Sequence, residues 1–232
     1  MIYITLLYTP VICHNYRMLA DEAAHQQLIT FFHSGTQLNY RKGESIVRAG
    51  DDPRGIYFIT KGFVKAYAIT KYGEENLLIV RKDGDLFPLI WAFTGLHRDI
   101  TYQAMSDTTL WRVARSEFLN FLKKNEHALP VIVDMSIEAY RLHSERVMNL
   151  EYRTVKERVA SFLVTHADRF GKKTDNGILI DAPIKRSDIA GSINASRETT
   201  SRELSALARH GFISLDHGEI VICEIEKLRE LL

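Results

Sequence analysis

The stretch that most narrows what this chain can become runs from Ile184 to Gly211 and reads as two helices joined by a tight turn. Ser187 or Arg186 opens the first helix, and Ile189 and Ile193, four residues apart, share its buried face. Asn194 then falls where the turn needs a left-handed backbone, which Asn tolerates better than most residues. Ser196 is placed to cap the second helix, its hydroxyl accepting from an otherwise unpaired first-turn amide. Leu204, Leu207 and Ala208 make the core stripe of that helix, and Gly211 stands where a C-terminal left-handed residue belongs.

The residues left facing outward on the second helix are Arg197, Glu198, Ser201 and Arg202, all within its first two turns. A recognition helix enters the major groove in this way, with its N-terminal residues against base edges. Arg can bind guanine O6 and N7 together, and Glu can accept from cytosine N4. Glu198 and Arg202 are four apart, so each can orient the other; the plainer alternative is a solvated helix face with an ion pair. The following tract favours the first reading. In Phe212 to Ile222, two short β-prone runs flank Asp216-His217-Gly218, a hairpin signal, and a helix-turn-helix followed by a hairpin is a winged helix. In this setting Ser196-Arg-Glu-Thr-Thr-Ser-Arg-Glu-Leu204 resembles the recognition helix of the CRP/FNR superfamily of bacterial transcription regulators.

The rest of the chain extends the resemblance. Residues 19–34 read as a helix ended by Gly35. From Leu38 to Val113 short β-prone runs are punctuated by Gly, Asp and Pro at the spacing of a β-sandwich or barrel, and Phe63 to Thr70 alternates between two faces. This resembles the β-roll of cyclic-nucleotide-binding and CRP-type sensor domains. A cupin-like metal barrel would need clustered ligands, yet His97 is the only histidine between His33 and His127. From Ser116 to Phe170 the pattern is helical again. Val133, Ile137, Tyr140, Ser144 and Val147 step by fours and threes, as in the seam of a two-stranded coiled coil, or alternatively as a face packed on the chain's own β-roll. In the family the matching helix is the dimer axis; here it corresponds to Asn125 to Leu150, with Glu151 to Thr154 as hinge. Val155, Val159, Phe162 and Leu163 then face the core of the following domain.

The expected fold is therefore α+β: an antiparallel β-roll sensor over residues 19–125, a dimerisation helix and hinge over 126–152, and a winged helix-turn-helix over 153–232. At 232 residues the chain is long enough for two domains, and a net charge of +1 excludes a protein that is basic all over while leaving room for a local basic patch. The two cysteines, Cys13 and Cys223, suggest no disulfide scaffold and a reducing compartment. No run approaches the length of a membrane span. The apolar start lacks the basic region and cleavage site of a signal peptide, and Met18 is an alternative start of translation. No nucleophile–base pair or metal cluster points to an enzyme.

Cyclic AMP binders of the family hold the ribose with a Gly-Glu pair and the phosphate with Arg-Ser or Arg-Thr. Here Pro88 and Leu89 stand in the first place, and Asp99 follows Arg98 in the second. Proline has no amide to donate, leucine cannot accept from a hydroxyl, and an aspartate repels phosphate, so cyclic AMP is not expected. An iron–sulfur cluster would need four cysteines. Cys13, His97 or His143 could be named as haem ligands, but a lone histidine is usually structural or exposed. The run Gly84-Asp-Leu-Phe-Pro-Leu89, with Thr94-Gly95 before Arg98, is closer to the oxoacid-sensing branch, where Gly-Val-Leu replaces Gly-Glu. The resemblance thus implies an effector region at Pro88, Leu89, Arg98, Asp99, Tyr140 and Ser144, with a small organic acid near Arg98. It further implies a cytoplasmic homodimer joined along Val133, Ile137, Tyr140 and Val147. Double-stranded DNA would be bound through Ser196, Arg197, Glu198, Ser201 and Arg202, at TGTGA-like inverted half-sites, with RNA polymerase as a further partner. The competing expectation is a cyclic-nucleotide-type module that regulates something other than DNA.

Overall fold

A computed structural model describes residues 19–216 and 218–232. The readings of the apolar N-terminal start, Cys13 and the hairpin tip at His217 lie outside the described residues. The chain begins with helix α1 (Glu22–His33), whose first turn is capped by Asp21 accepting from the Ala24 amide at 2.8 Å. Eight strands follow: β1 (Thr36–Tyr40), β2 (Ser45–Val47), β3 (Ile56–Lys61), β4 (Val64–Ile69), β5 (Glu75–Arg81), β6 (Leu86–Phe87), β7 (Thr101–Ala104) and β8 (Thr108–Val113). They form two antiparallel four-stranded sheets, ordered β1-β8-β3-β6 and β2-β7-β4-β5. Val47, Tyr57, Ile59, Val64, Phe87 and Leu110 fill the space between them, and the rings of Tyr57, Phe87 and Tyr102 stack in a row. This is the expected β-roll.

A helical layer covers the outer face of the first sheet. Helix α2 (Leu89–Thr94) interrupts the strands, and α3 (Arg115–Lys124) and the start of α4 (Leu129–Tyr152) pack with α1 around Phe32, Phe58 and Phe118. The segment that carries the expected effector residues thus contains a short helix, closed by Gly95 at φ 71°. Strand β5 departs from simple pairing. Ala66 of β4 opposes Ile79 and the next residue, Tyr67, opposes Leu77, so Leu78 is an extra residue on β5, while β4 keeps unbroken register with β7.

After α4, Thr154 and Glu157 form a reciprocal capping box that starts α5 (Val155–Phe170). A hairpin, β9 (Gly171–Thr174) and β10 (Gly177–Ile180), precedes the paired helices α6 (Arg186–Ile193) and α7 (Arg197–Arg209). Strands β11 (Ile213–Asp216) and β12 (Glu219–Ile222) then complete a second hairpin that joins the first in one sheet, β11-β12-β10-β9, and α8 (Ile225–Arg229) ends the chain. Helix α6 starts at Arg186 rather than Ser187, because the Asp188 carboxylate accepts from the Lys185 amide at 2.8 Å and fixes the cap there. Val159, Phe162 and Leu163 lie in the core with Ile189, Ile193, Leu204 and Leu207, and Val155 packs against it, as their spacing implied.

That core does not stop at the winged helix. Leu77, Val80 and Met105 of the β-roll belong to the same apolar cluster. Helix α6 lies directly on β5, so closely that a Cβ on Gly191 would stand 2.3 Å from the Glu75 carbonyl oxygen. Beside this contact the Lys65 ammonium pairs with Glu75 on the neighbouring strand and reaches Asp188 of α6 at 3.4 Å. Burial pulls the Lys65 pKa down, but the Glu75 hydrogen bond and the Asp188 charge more than offset it, leaving it above the usual lysine range.

Two predictions follow from this packing. In an isolated helix Gly→Ala gains about 1 kcal/mol. Gly191→Ala should instead lose about 1–3 kcal/mol, since the added methyl forces α6 off β5; urea denaturation reads the sign. The second concerns His166, buried against Phe162 with ring centroids 3.7 Å apart. Burial, and then the Arg169 charge, lower its pKa from 6.5 to about 3. The folded state therefore binds fewer protons than the unfolded one between these values. Stability should fall as pH drops from 6.5 toward 3, by about 1.4 kcal/mol per unit from this group. His166→Gln should flatten that part of the stability–pH curve.

Candidate functional site: nucleic-acid interface and sensor cavity

The turn between α6 and α7 is set by a few local groups. Asn194 adopts φ 51° and ψ 57°, the left-handed conformation that ends α6. Ser196 Oγ accepts from the Thr199 amide at 3.1 Å, and its carbonyl accepts from the Thr200 hydroxyl at 2.9 Å. Thr200, Leu204 and Leu207 are fully buried, so one face of α7 is fixed against the core. The opposite face presents Arg197, Glu198 and Arg202 to solvent, with Ser196 exposed at the helix start and Ser201 half-buried. Gly211, at φ 74°, ends the helix and turns the chain into β11.

The expected Glu198–Arg202 pair is not formed. Glu198 sits in the first turn, where unpaired amides and the helix dipole attract a carboxylate. Its own amide and the Ser196 hydroxyl hold its pKa below the usual carboxylate range. Arg202 instead approaches Glu203, Nε to Oε1 at 3.7 Å, and its side chain remains 72% exposed. Both side chains are thus presented separately. Further exposed basic groups stand elsewhere on the winged helix. Lys185 and Arg186 are exposed at the start of α6. Lys172 and Lys173 are exposed on β9, whose turn at Asp175-Asn176-Gly177 before Ile178-Leu179-Ile180 is itself a hairpin signal.

In the β-roll, a cavity with about 360 Å³ of empty space is lined by Pro88 and Arg98 together with Asp51, Trp91, Ile100 and Tyr102. Four residues expected there do not line it. Leu89 turns into the helical layer around Phe118, because it is the first residue of α2 and its side chain follows the helix inward. Asp99 is exposed outside it. Tyr140 and Ser144 lie on an exposed face of α4, away from this cavity. The Tyr102 hydroxyl is pushed up by burial, offset in part by the nearby Arg81 and Arg98 charges. No group of His, Cys, Asp and Glu suited to a metal ion occurs among the described residues.

Comparison with known proteins agrees with this architecture. The cyclic nucleotide-binding domain family matches residues 37–125, and the Crp-like helix-turn-helix domain family matches residues 157–231. The chain is 24% identical over 205 residues to the nitrogen fixation regulation protein FixK of Bradyrhizobium diazoefficiens, covering 88% of this chain and 85% of that protein. It is 26% identical over 190 residues to the global nitrogen regulator of a Synechocystis species, covering 79% and 82%. Among solved structures, FixK2 from Bradyrhizobium japonicum superposes with a TM-score of 0.74 at 25% identity, covering 85% of this chain and 96% of that one. A CooA mutant from Carboxydothermus hydrogenoformans shares the fold, with a TM-score of 0.74 at 21% identity. With a cyclic-nucleotide-type β-roll in front and a Crp-like helix-turn-helix behind, the chain belongs to the CRP/FNR family of transcription regulators.

Proposed function

We propose that this regulator works as a homodimer on an inverted-repeat operator with TGTGA-like half-sites. The observation that carries the reading is the division of α7. Its inner face is locked by Thr200, Leu204 and Leu207, while Arg197, Glu198 and Arg202 are exposed on the outer face of the first two turns. Arg197 and Arg202 would take guanines and Glu198 the cytosine edge opposite. Ser196, Ser201 and the helix N-terminus would hold phosphates.

The functional division follows residues 19–125 as sensor, 126–152 as dimerisation helix and hinge, and 153–232 as DNA-binding unit. The seam is supported by apolar residues that the chain's own β-roll leaves uncovered: Val133 is 40%, Ile137 42%, Tyr140 75% and Val147 55% exposed. Joining two copies along them would bury this face and set two recognition helices one helical turn apart. The β-roll cavity would take a small organic acid at Arg98, which biases how the long helices present the winged helices. Such a protein works in the cytoplasm, with RNA polymerase as its further partner, and performs no catalysis.

Selection of bound oligonucleotides from a random pool tests the readout. Arg202→Ala should cost about 1–3 kcal/mol on the preferred site and relax one base pair. Ser196→Ala should weaken all sequences about equally. A motif that is not an inverted repeat, or one unchanged by Glu198→Ala and Arg202→Ala, would refute this readout. Val147→Glu places like charges across the two-fold axis and should give a monomer by sedimentation, with operator binding lost. Calorimetry should show no cyclic AMP binding, and Arg98→Ala should weaken an anionic effector by at least ~1.5 kcal/mol.

A further inference from the structure

Where α4, α5 and the end of α6 meet β5, the protein holds a second cleft, with about 580 Å³ of empty space partly open to solvent. It shares no lining residue with the sensor cavity. Three guanidinium groups line it, from Arg146, Arg158 and Arg169, against a single carboxylate, Glu145. That carboxylate is already engaged, accepting from Ser161 at 3.3 Å, Thr165 at 3.4 Å and Arg141 at 3.4 Å. Arg169 has Asp85 and Glu138 within 3.9 Å. Among the described residues no carboxylate pairs with Arg146 or Arg158.

These two arginines hold the end of α6. Arg146 Nε donates to the Ser192 carbonyl at 2.9 Å and its Nη2 to Asn76 Oδ1 at 2.6 Å, while Arg158 Nη1 donates to the Ile193 carbonyl at 2.8 Å. Cations at a helix C-terminus are favourable in their own right, and that accounts for these donors. It does not account for Arg158 Nε, which is buried without a partner, nor for the open space that the Arg158 and Arg146 side chains line. A buried donor on a charged group costs free energy until something accepts from it. Burial alone lowers the Arg146 pKa, in keeping with the lack of a counter-ion.

We propose that this cleft is a binding site for a compact oxyanion, a phosphate group or a short carboxylate, held by Arg158 and Arg146. Such an anion would neutralise the two guanidiniums and draw the Arg158 side chain toward the cleft, so that its buried Nε gains an acceptor. Its ligands tie α4, α5, the last turn of α6 and strand β5, so it would favour the arrangement in which the winged helix rests on the β-roll. Occupancy is independent of the operator reading; only its consequence for DNA binding rests on that reading.

Titration calorimetry of the full chain without DNA tests the site, with inorganic phosphate and succinate as probes in chloride buffer of matched ionic strength. At least one probe should bind saturably, and the tighter one names the class. Arg158→Gln should weaken it about tenfold or more, as expected for a lost charged hydrogen bond, while removal of the exposed Arg41 as Arg41→Gln leaves it unchanged. No saturable binding of either probe overturns the proposal, as does unaltered binding by Arg158→Gln. Binding abolished by Arg98→Ala overturns it too, by assigning the anion to the sensor cavity. Should Arg158→Gln fail to fold, the Arg158 Nε–Hε signal of the unaltered protein decides by nuclear magnetic resonance. It must shift saturably with the probe, and an unmoved signal overturns the proposal.

Discussion

The arrangement of the molecule depends on how closely α6 can approach β5. With hydrogen as its side chain, Gly191 lets the helix rest on the strand backbone at the Glu75 carbonyl. That approach brings the buried carboxylate of Asp188 to Lys65, and the same carboxylate caps α6. One residue thus decides both where the helix starts and what it faces. Removing Lys65 would leave the Asp188 charge poorly paired in a region where water is largely excluded, whereas Lys65 would keep Glu75 if Asp188 were lost. The apolar cluster running from Leu77 and Val80 into Leu163 and Ile189 adds non-directional burial to this directional contact.

What the sequence revealed, and what it concealed, follows from the range of the forces involved. The turn at Asn194, the cap at Ser196 and the end at Gly211 were legible because each depends on the backbone within a few residues. The exposed stripe of α4 was legible because it is periodic. The β-roll emerged from spacing, although the register shift at Ala66 and Tyr67 cannot be read from alternation that looks regular on paper. The β9–β10 hairpin had a turn signal at Asn176-Gly177 that went unread because a helical pattern preceded it. Helix α2 is not legible because its six residues are too few to show a helical period and its start at Pro88 carries no side-chain cap. Gly191 was opaque for a different reason. In sequence it is only a weak helix former, and its value comes from a strand more than a hundred residues earlier. Glu198 shows the limit of pair rules, since the amides of its own helix start outcompete an arginine one turn away.

The two clefts differ in kind. The β-roll cavity places one guanidinium, Arg98, near aromatic and aliphatic walls, with proline where a backbone donor would serve a sugar. The junction cleft is lined by charge and by the ends of secondary elements, so its shape depends on the relative placement of strand and helices. A change in that placement alters the second cleft directly and the first only through the long helix.

The regularity of β4 has a consequence for how this chain can vary in length. Strand β4 runs in unbroken register against β7, the extra residue of its pairing with β5 being Leu78 on β5, so Val64 and Ala66 face inward while Lys65 remains at the junction with α6. Deleting one residue from this short stretch would reverse the facing of all that lies on one side of it. Either the inward residues would meet solvent, or the lysine would be driven between the sheets. Related chains could therefore lengthen or shorten the β4–β5 turn freely, whereas the strand leading into it tolerates change of side chain but not of count.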